Sequence, residues 1–115
     1  MVAAGRFADY WGGEGTWSNM DHERRMTFAN ALKPNFHEWD AVMHDTTLLP
    51  TWVATLPMNT LVLYDPKTAR PLREIVELLR DGTSWQFKTL PECGHMAPLS
   101  RPELVNPIIQ DFLES

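Results

Sequence analysis

Three segments in the second half of the chain constrain its fold more than any other feature. Residues 60–64 are a nearly continuous apolar run of strand length, which is typical of a strand buried on both faces of a parallel sheet. From Pro71 to Arg80 apolar residues recur at helical spacing, and Gly82 is placed to end that helix. Residues 84–90 alternate apolar and polar side chains, which predicts a half-buried strand. A strand, a helix and a strand in this order predict a βαβ unit with parallel strands and a right-handed crossover.

A histidine follows the second predicted strand at its carboxyl end. Residues 91–94 end that strand, because a proline cannot donate to the ladder and a glycine permits a sharp reversal, and His95 comes next. A lone loop histidine most often serves as a surface or hydrogen-bonding residue. This position nevertheless favours a catalytic alternative, because open α/β sheets bind their ligands outside the carboxyl ends of the strands.

The chain ends in a predicted helix over residues 101–113. Ser100 and Glu103 have the spacing of a capping box at its start. Pro107 lies inside the helix and should kink it or break a turn, because it lacks the backbone donor of an ordinary residue and crowds the carbonyl four residues back.

The first half of the chain predicts three helices after a segment rich in aromatic residues and glycine. The helices cover residues 21–32, 35–44 and 48–56. Ser18 or Asp21 can cap the first helix, and Pro34 ends it. Thr46 or Thr47 can cap the third. In the preceding segment the glycines between residues 12 and 15 argue against one continuous helix. An aromatic-anchored turn is favoured there over a phosphate loop, because no strand precedes the glycines and no phosphate-binding glycine pattern is present.

Composition and charge exclude several classes of function. The chain has 115 residues, a net charge of −5 and ten scattered basic residues, so we expect no nucleic-acid partner. Cys93 is the single cysteine, which excludes an intramolecular disulfide and a zinc site built from cysteines of this chain. His22 falls on the first of these predicted helices and His37 and His44 on the second, and all three are expected to be surface residues rather than metal ligands. We expect no cofactor.

The same composition predicts a cytoplasmic location. No apolar run approaches the roughly 20 residues that span a bilayer, and the first residues do not resemble a signal peptide. We therefore expect a soluble α/β chain of modest core size in a reducing compartment, with no membrane partner.

Residues 94–99, Gly-His-Met-Ala-Pro-Leu, resemble the loop that carries the catalytic histidine of α/β-hydrolases, and the resemblance continues through residues 102–106. Residues 6–17 look like the start of the lid region in one group of these enzymes. The resemblance implies a partial α/β-hydrolase fold. It divides the chain into a helical lid-like segment, residues 1–56, and a C-terminal βαβα sheet unit, residues 57–115, within one compact domain. It also implies that His95 is a general base and that Tyr10, Trp11 and Trp17 contact substrate from the lid.

The resemblance leaves the other members of a catalytic triad unassigned. No Gly-x-Ser-x-Gly elbow is present, so none of the four serines is a nucleophile on that pattern, and Cys93 is too close in sequence to His95 for the usual geometry. The family often places its acid near the position of Thr68. Asp65 lies three residues earlier, where it is either an acid that orients Nδ1 of His95 or a turn residue before Pro66.

Two functions of different class remain. The first is the C-terminal portion of an α/β-hydrolase, which supplies the histidine for hydrolysis of an ester or related bond in a small-molecule substrate when joined to a half carrying the nucleophile. The second is a stand-alone, non-catalytic module that self-associates or binds a partner protein. In either case we expect the isolated chain to be inactive, and we expect association, most simply a two-fold dimer that extends the sheet or exchanges helices.

Overall fold

A computed structural model describes residues 1–115. It divides into two compact units, Met1–Leu49 and Pro50–Ser115, and each is described by itself. The boundary between the units lies after Leu49, the first residue of the helix Leu49–Thr55. No residue between 35 and 59 is buried.

The first unit contains α1 (Val2–Gly12), α2 (His22–Ala31) and α3 (Asn35–His44). α1 was not specified by the sequence pattern, but it ends at Gly12, and Gly13 and Gly15 then adopt φ angles of 94° and 87° in the turn that follows. Such backbone angles favour glycine because it has no Cβ. The predicted cap of α2 is confirmed for Asp21, whose Oδ1 accepts the N–H of Arg24 at 2.8 Å.

α3 exposes its apolar residues. Phe36, Trp39, Val42 and Met43 recur on one face of this helix, and each is more than half exposed. α4 (Leu49–Thr55) is also without a buried residue and leaves Trp52 about half exposed. None of the helices of this chain combines the length and the apolar character that crossing a membrane requires.

The second unit contains a two-stranded parallel sheet. β1 (Leu61–Tyr64) and β2 (Gln86–Thr89) pair in register from Leu61 with Gln86 to Tyr64 with Thr89. α5 (Arg70–Gly82) joins them, and α6 (Ala97–Ser100) and α7 (Pro102–Glu114) follow. The predicted strand, helix, strand order and the parallel pairing are confirmed, and the chain is a mixed α/β structure in which helices predominate.

The two faces of this sheet pack against different elements. On one face, Leu90, Ala97 and Val105 form a buried cluster against which Leu63 packs. Successive residues of a strand point to opposite faces, so Tyr64 faces the other way. There the Arg80 guanidinium carbon of α5 lies 5.5 Å from the centre of the Tyr64 ring. α5 and α7 therefore cover opposite faces of the sheet.

Two local predictions about the last helix require correction. The capping box is wrong, because Ser100 belongs to α6 and its hydroxyl donates to the carbonyl of Met96 at 3.2 Å. Glu103 pairs instead with Arg101, whose Nε lies 2.6 Å from its carboxylate. Of the two predicted effects of Pro107, a kink or a broken turn, the broken turn is wrong, because α7 runs through this residue without a break.

Candidate active site

The loops that follow the two parallel strands meet at one edge of the sheet. Asp65 comes directly after β1, and Oδ2 of its carboxylate accepts the backbone N–H of Gly94 at 2.7 Å, across 29 residues of sequence. Its Oδ1 accepts the backbone N–H of Lys67 at 2.8 Å. The second bond closes a turn in which a side chain binds the backbone two residues further on. One carboxylate thus shapes its own loop and holds the neighbouring one.

The loop after β2 has an unusual backbone. Glu92 adopts a φ angle of 61° and Gly94 one of 73°. The left-handed region is costly for a residue with a Cβ, so such a conformation persists only where the surroundings enforce it. Asp65 supplies this constraint at Gly94, because its carboxylate accepts the backbone N–H of that residue.

Asp65 is the single buried charged side chain of the chain, with 6% of its surface exposed. Burial raises the pKa of its carboxyl group. The N–H groups of Lys67, Gly94 and Glu92, with the positive charge of Lys67, act in the opposite direction, and the pKa lies below its ordinary value as a result. Asp65 is therefore ionised at neutral pH.

His95 lies between this turn and α6 and is exposed. Together with Asp65, Thr68 and Gly94 it lines a cleft of about 410 Å³. The rest of the lining is predominantly apolar and comes from β1, from α5 and from the segment that includes α6 and α7. A concave apolar site with a few polar groups at one end is the usual form of a small-molecule binding site.

Thr68 and Cys93, which the sequence analysis also considered, make defined contacts near this edge of the sheet. Thr68 donates its backbone N–H to the carbonyl of Asp65 at 3.0 Å and is half-buried at the cleft. Cys93 is half-buried and packs against the buried cluster around Leu90, with its Sγ 3.5 Å from the carbonyl of Pro91. The residues that line the cleft include Thr68 and Tyr64 but no serine or cysteine.

The aromatic residues assigned to substrate contact lie in the first unit. Tyr10 and Trp11 are adjacent on α1, with ring centres 5.0 Å apart in an edge-on arrangement. Trp17 packs on α1 so closely that a Cβ on Gly5 would lie 3.1 Å from its ring. Its ring also lies 6.2 Å from that of Phe28. These contacts give Trp17 a structural role in the core of its unit.

A backbone bond fixes the same tryptophan. The N–H of Trp17 donates to Oδ1 of Asp9 at 2.8 Å. Arg25 donates to the Trp17 carbonyl at 3.0 Å and lies over its ring, 5.7 Å from the centre. The turn between α1 and α2 is therefore anchored by an aromatic residue, as the sequence predicted.

No group of three or more histidine, cysteine, aspartate and glutamate side chains is placed to hold a metal ion. No family model, no curated protein and no solved structure matches this chain.

Sequence reasoning missed the bonds between Asp65 and the backbone of the histidine loop. The Asp65-Pro66 pair gave a turn signal, and that alternative is now confirmed by the bond to Lys67. A bond to Gly94 had no comparable signal, because it joins groups 29 residues apart. Sequence reasoning also missed α6, a single turn whose Ala97 is almost completely buried.

Proposed function

We propose that this chain is the C-terminal portion of an α/β-hydrolase, in which His95 acts as the general base when the chain is joined to a polypeptide that carries the nucleophile. The hydrogen bond of 2.7 Å between Asp65 and Gly94 carries this proposal. It connects the loops at the carboxyl edge of two parallel strands, where sheets of this kind bind their ligands. It also fixes the backbone immediately before His95.

The division of work in the proposed reaction follows from the chemistry of the two side chains. His95 would take the proton from a nucleophilic hydroxyl and return it to the leaving group, a role worth about 10²–10⁴-fold in rate. Asp65 is the candidate acid, and its first contribution is to position the loop through Gly94. The assignment of Tyr10, Trp11 and Trp17 to substrate binding rests on the resemblance alone.

A general base is one of several groups that acyl-transfer catalysis needs. No nucleophile elbow is present in the sequence. A base without a nucleophile and an oxyanion hole supplies little acceleration. We therefore place the activity in an assembly of this chain with a second polypeptide segment.

The test compares the chain alone with the chain purified from its source. The isolated chain should hydrolyse a short-chain nitrophenyl ester at the background rate, and His95→Ala should leave that rate unchanged. Material purified from the source should contain a polypeptide that reacts with a fluorophosphonate, and its ester hydrolysis should fall about 100-fold or more with His95→Gln in this chain. His37→Gln, at an exposed histidine of α3, is the matched control and should have no effect.

Two results would contradict the proposal. One is a purified assembly with no fluorophosphonate-reactive polypeptide. The other is an isolated chain that shows a burst of acyl-enzyme formation, with turnover that disappears in His95→Ala, because such a chain would contain its own nucleophile.

A second candidate, a non-catalytic module that self-associates, is favoured by one observation. β1 pairs with β2 and has no strand on its other side. The mass of the purified material, with sequencing of any polypeptide that accompanies it, separates the two candidates.

A further inference from the structure

One edge of β1 carries backbone groups that no strand occupies. The carbonyls of Thr60 and Tyr64 accept N–H groups of the neighbouring strand segment at 2.9 and 2.8 Å. Backbone groups of successive strand residues point to opposite sides, so the N–H and C=O groups of Leu61 and Leu63 point away from β2. This free edge of β1 therefore offers two donors and two acceptors in a row.

The cleft of about 410 Å³ surrounds that edge. Its lining includes residues of β1 and none of β2. On one side it is walled by α5, and on the other by α6 and α7, which cover the opposite faces of the sheet. The cleft is thus the space beside β1 into which a further strand would fit, with apolar side chains above and below it.

The two edges of the sheet differ in how they are protected. The outer edge of β2 carries the exposed side chains of Gln86 and Lys88, and Pro91 follows that strand closely. Lysine and proline are the residues with which proteins block association at a strand edge. β1, with the sequence Leu-Val-Leu-Tyr, has neither.

We propose that a second copy of this chain occupies the free edge of β1, with the two β1 strands antiparallel about a two-fold axis at Val62. In this register Leu61 of one copy lies opposite Leu63 of the other, and the reverse holds by symmetry. Each such pair exchanges both N–H···O bonds, so four hydrogen bonds form. The result is a continuous four-stranded sheet with β2 at both outer edges.

Other registers of the two β1 strands form fewer hydrogen bonds between them. An axis at Leu61 or at Leu63 pairs that residue with its own copy and forms two hydrogen bonds within the strand, which leaves the remaining outward groups unpaired. The chosen register also brings no charged side chain of β1 opposite a like charge, since the strand has no ionisable group except the tyrosine hydroxyl. The edge is therefore complementary to itself. This inference deepens the second candidate function, self-association, and competes with the hydrolase proposal, because a second copy of β1 would fill the cleft that Asp65 and His95 line.

The first test measures mass and cross-linking. Sedimentation equilibrium of the full chain at micromolar concentration should give twice the chain mass of 13.2 kDa. Directly opposite residues of a non-bonded antiparallel pair lie about 4.5 Å apart between Cα atoms, which suits a disulfide. Val62→Cys in a Cys93→Ser background should therefore form a covalent dimer under mild oxidation at least about 10-fold faster than Lys88→Cys in the same background, which places a thiol at an exposed position of β2.

The second test uses the unmodified protein and does not depend on folding of a variant. Amide hydrogen exchange at Leu61 and Leu63 should slow at least about 10-fold as the concentration rises through the dimerisation range. Exchange at Phe87 and Thr89, whose N–H groups point to the outer edge of β2, should not change. A stable monomer would overturn the proposal. So would a dimer in which Leu61 and Leu63 exchange as fast as Phe87 and Thr89, because its interface would lie elsewhere.

Discussion

Asp65→Asn tests the central feature of the candidate site. The substitution preserves the shape of the side chain but replaces one acceptor oxygen by an amide N–H₂. Since the carboxylate oxygens accept N–H groups from Lys67 and Gly94, one of these donors would then face another donor. At pH 7 the variant loses at least one hydrogen bond to a charged group, worth about 1.5–3 kcal/mol, and the remaining bond weakens. We expect the free energy of unfolding to fall by about 3 kcal/mol.

The pH dependence of this loss in unfolding free energy follows from the direction in which the pKa of Asp65 is shifted. The pKa of Asp65 in the folded state lies below the ordinary value of about 3.9. The carboxylate therefore stabilises the fold fully above that ordinary value, and the contribution is lost as the pH falls through the lowered pKa. Consequently the difference between the wild type and Asp65→Asn should be constant from about pH 7 to pH 5 and should shrink below about pH 3.9.

Urea unfolding followed through the amide resonances of β2 measures this difference across the pH range. Glu92→Gln is the matched control, because it neutralises a carboxylate in the same loop whose ion pair with Lys67, at 3.3 Å, is exposed. The control should change stability much less than Asp65→Asn. An Asp65→Asn variant as stable as the wild type at pH 7, or a gap that does not narrow in acid, would refute the role assigned to this carboxylate.

Two further predictions concern packing and capping. Val105 is 1% exposed, so Val105→Ala should lower the free energy of unfolding by about 2 kcal/mol through lost burial and a residual cavity. Leu104→Ala is the control, because its side chain is 40% exposed. It should cost clearly less in the same urea titration. Asp21→Ala removes the cap at the N–H of Arg24 and should cost about 1 kcal/mol; unchanged unfolding of α2, followed by its amide resonances, would contradict this.

Most of the second unit could be predicted because its signals are local. The apolar run at β1, the helical spacing in α5 and the alternation in β2 each depend on side chains within one element. The parallel pairing then follows from their order. The capping box failed for a reason the pattern does not contain: Ser100 was recruited into the extra turn α6. The burial of Ala97 against the sheet decides that turn, and burial of this kind depends on residues distant in sequence.

The sequence predicted where the candidate site lies but not which atoms are bonded there. The order of the elements put Asp65 and His95 at the same edge, and the resemblance supplied a role for the histidine. The atoms that Asp65 binds could not be predicted, because backbone N–H groups have no signature in a sequence. The exposure of α3 could not be predicted for a related reason. A helix such as α3 has a clear periodic pattern, yet its apolar face is not buried.

The bond between Asp65 and Gly94 makes the lengths of two loops depend on each other. The carboxylate reaches Gly94 only if the chain leaves β1 at its present position and the turn after β2 keeps its present number of residues. An inserted residue in either loop would displace one partner by about 3 Å, which exceeds the tolerance of a hydrogen bond. Engineering or natural drift at this edge must therefore alter both loops together, and a library that varies one of them alone would sample mostly chains whose histidine loop has lost its anchor.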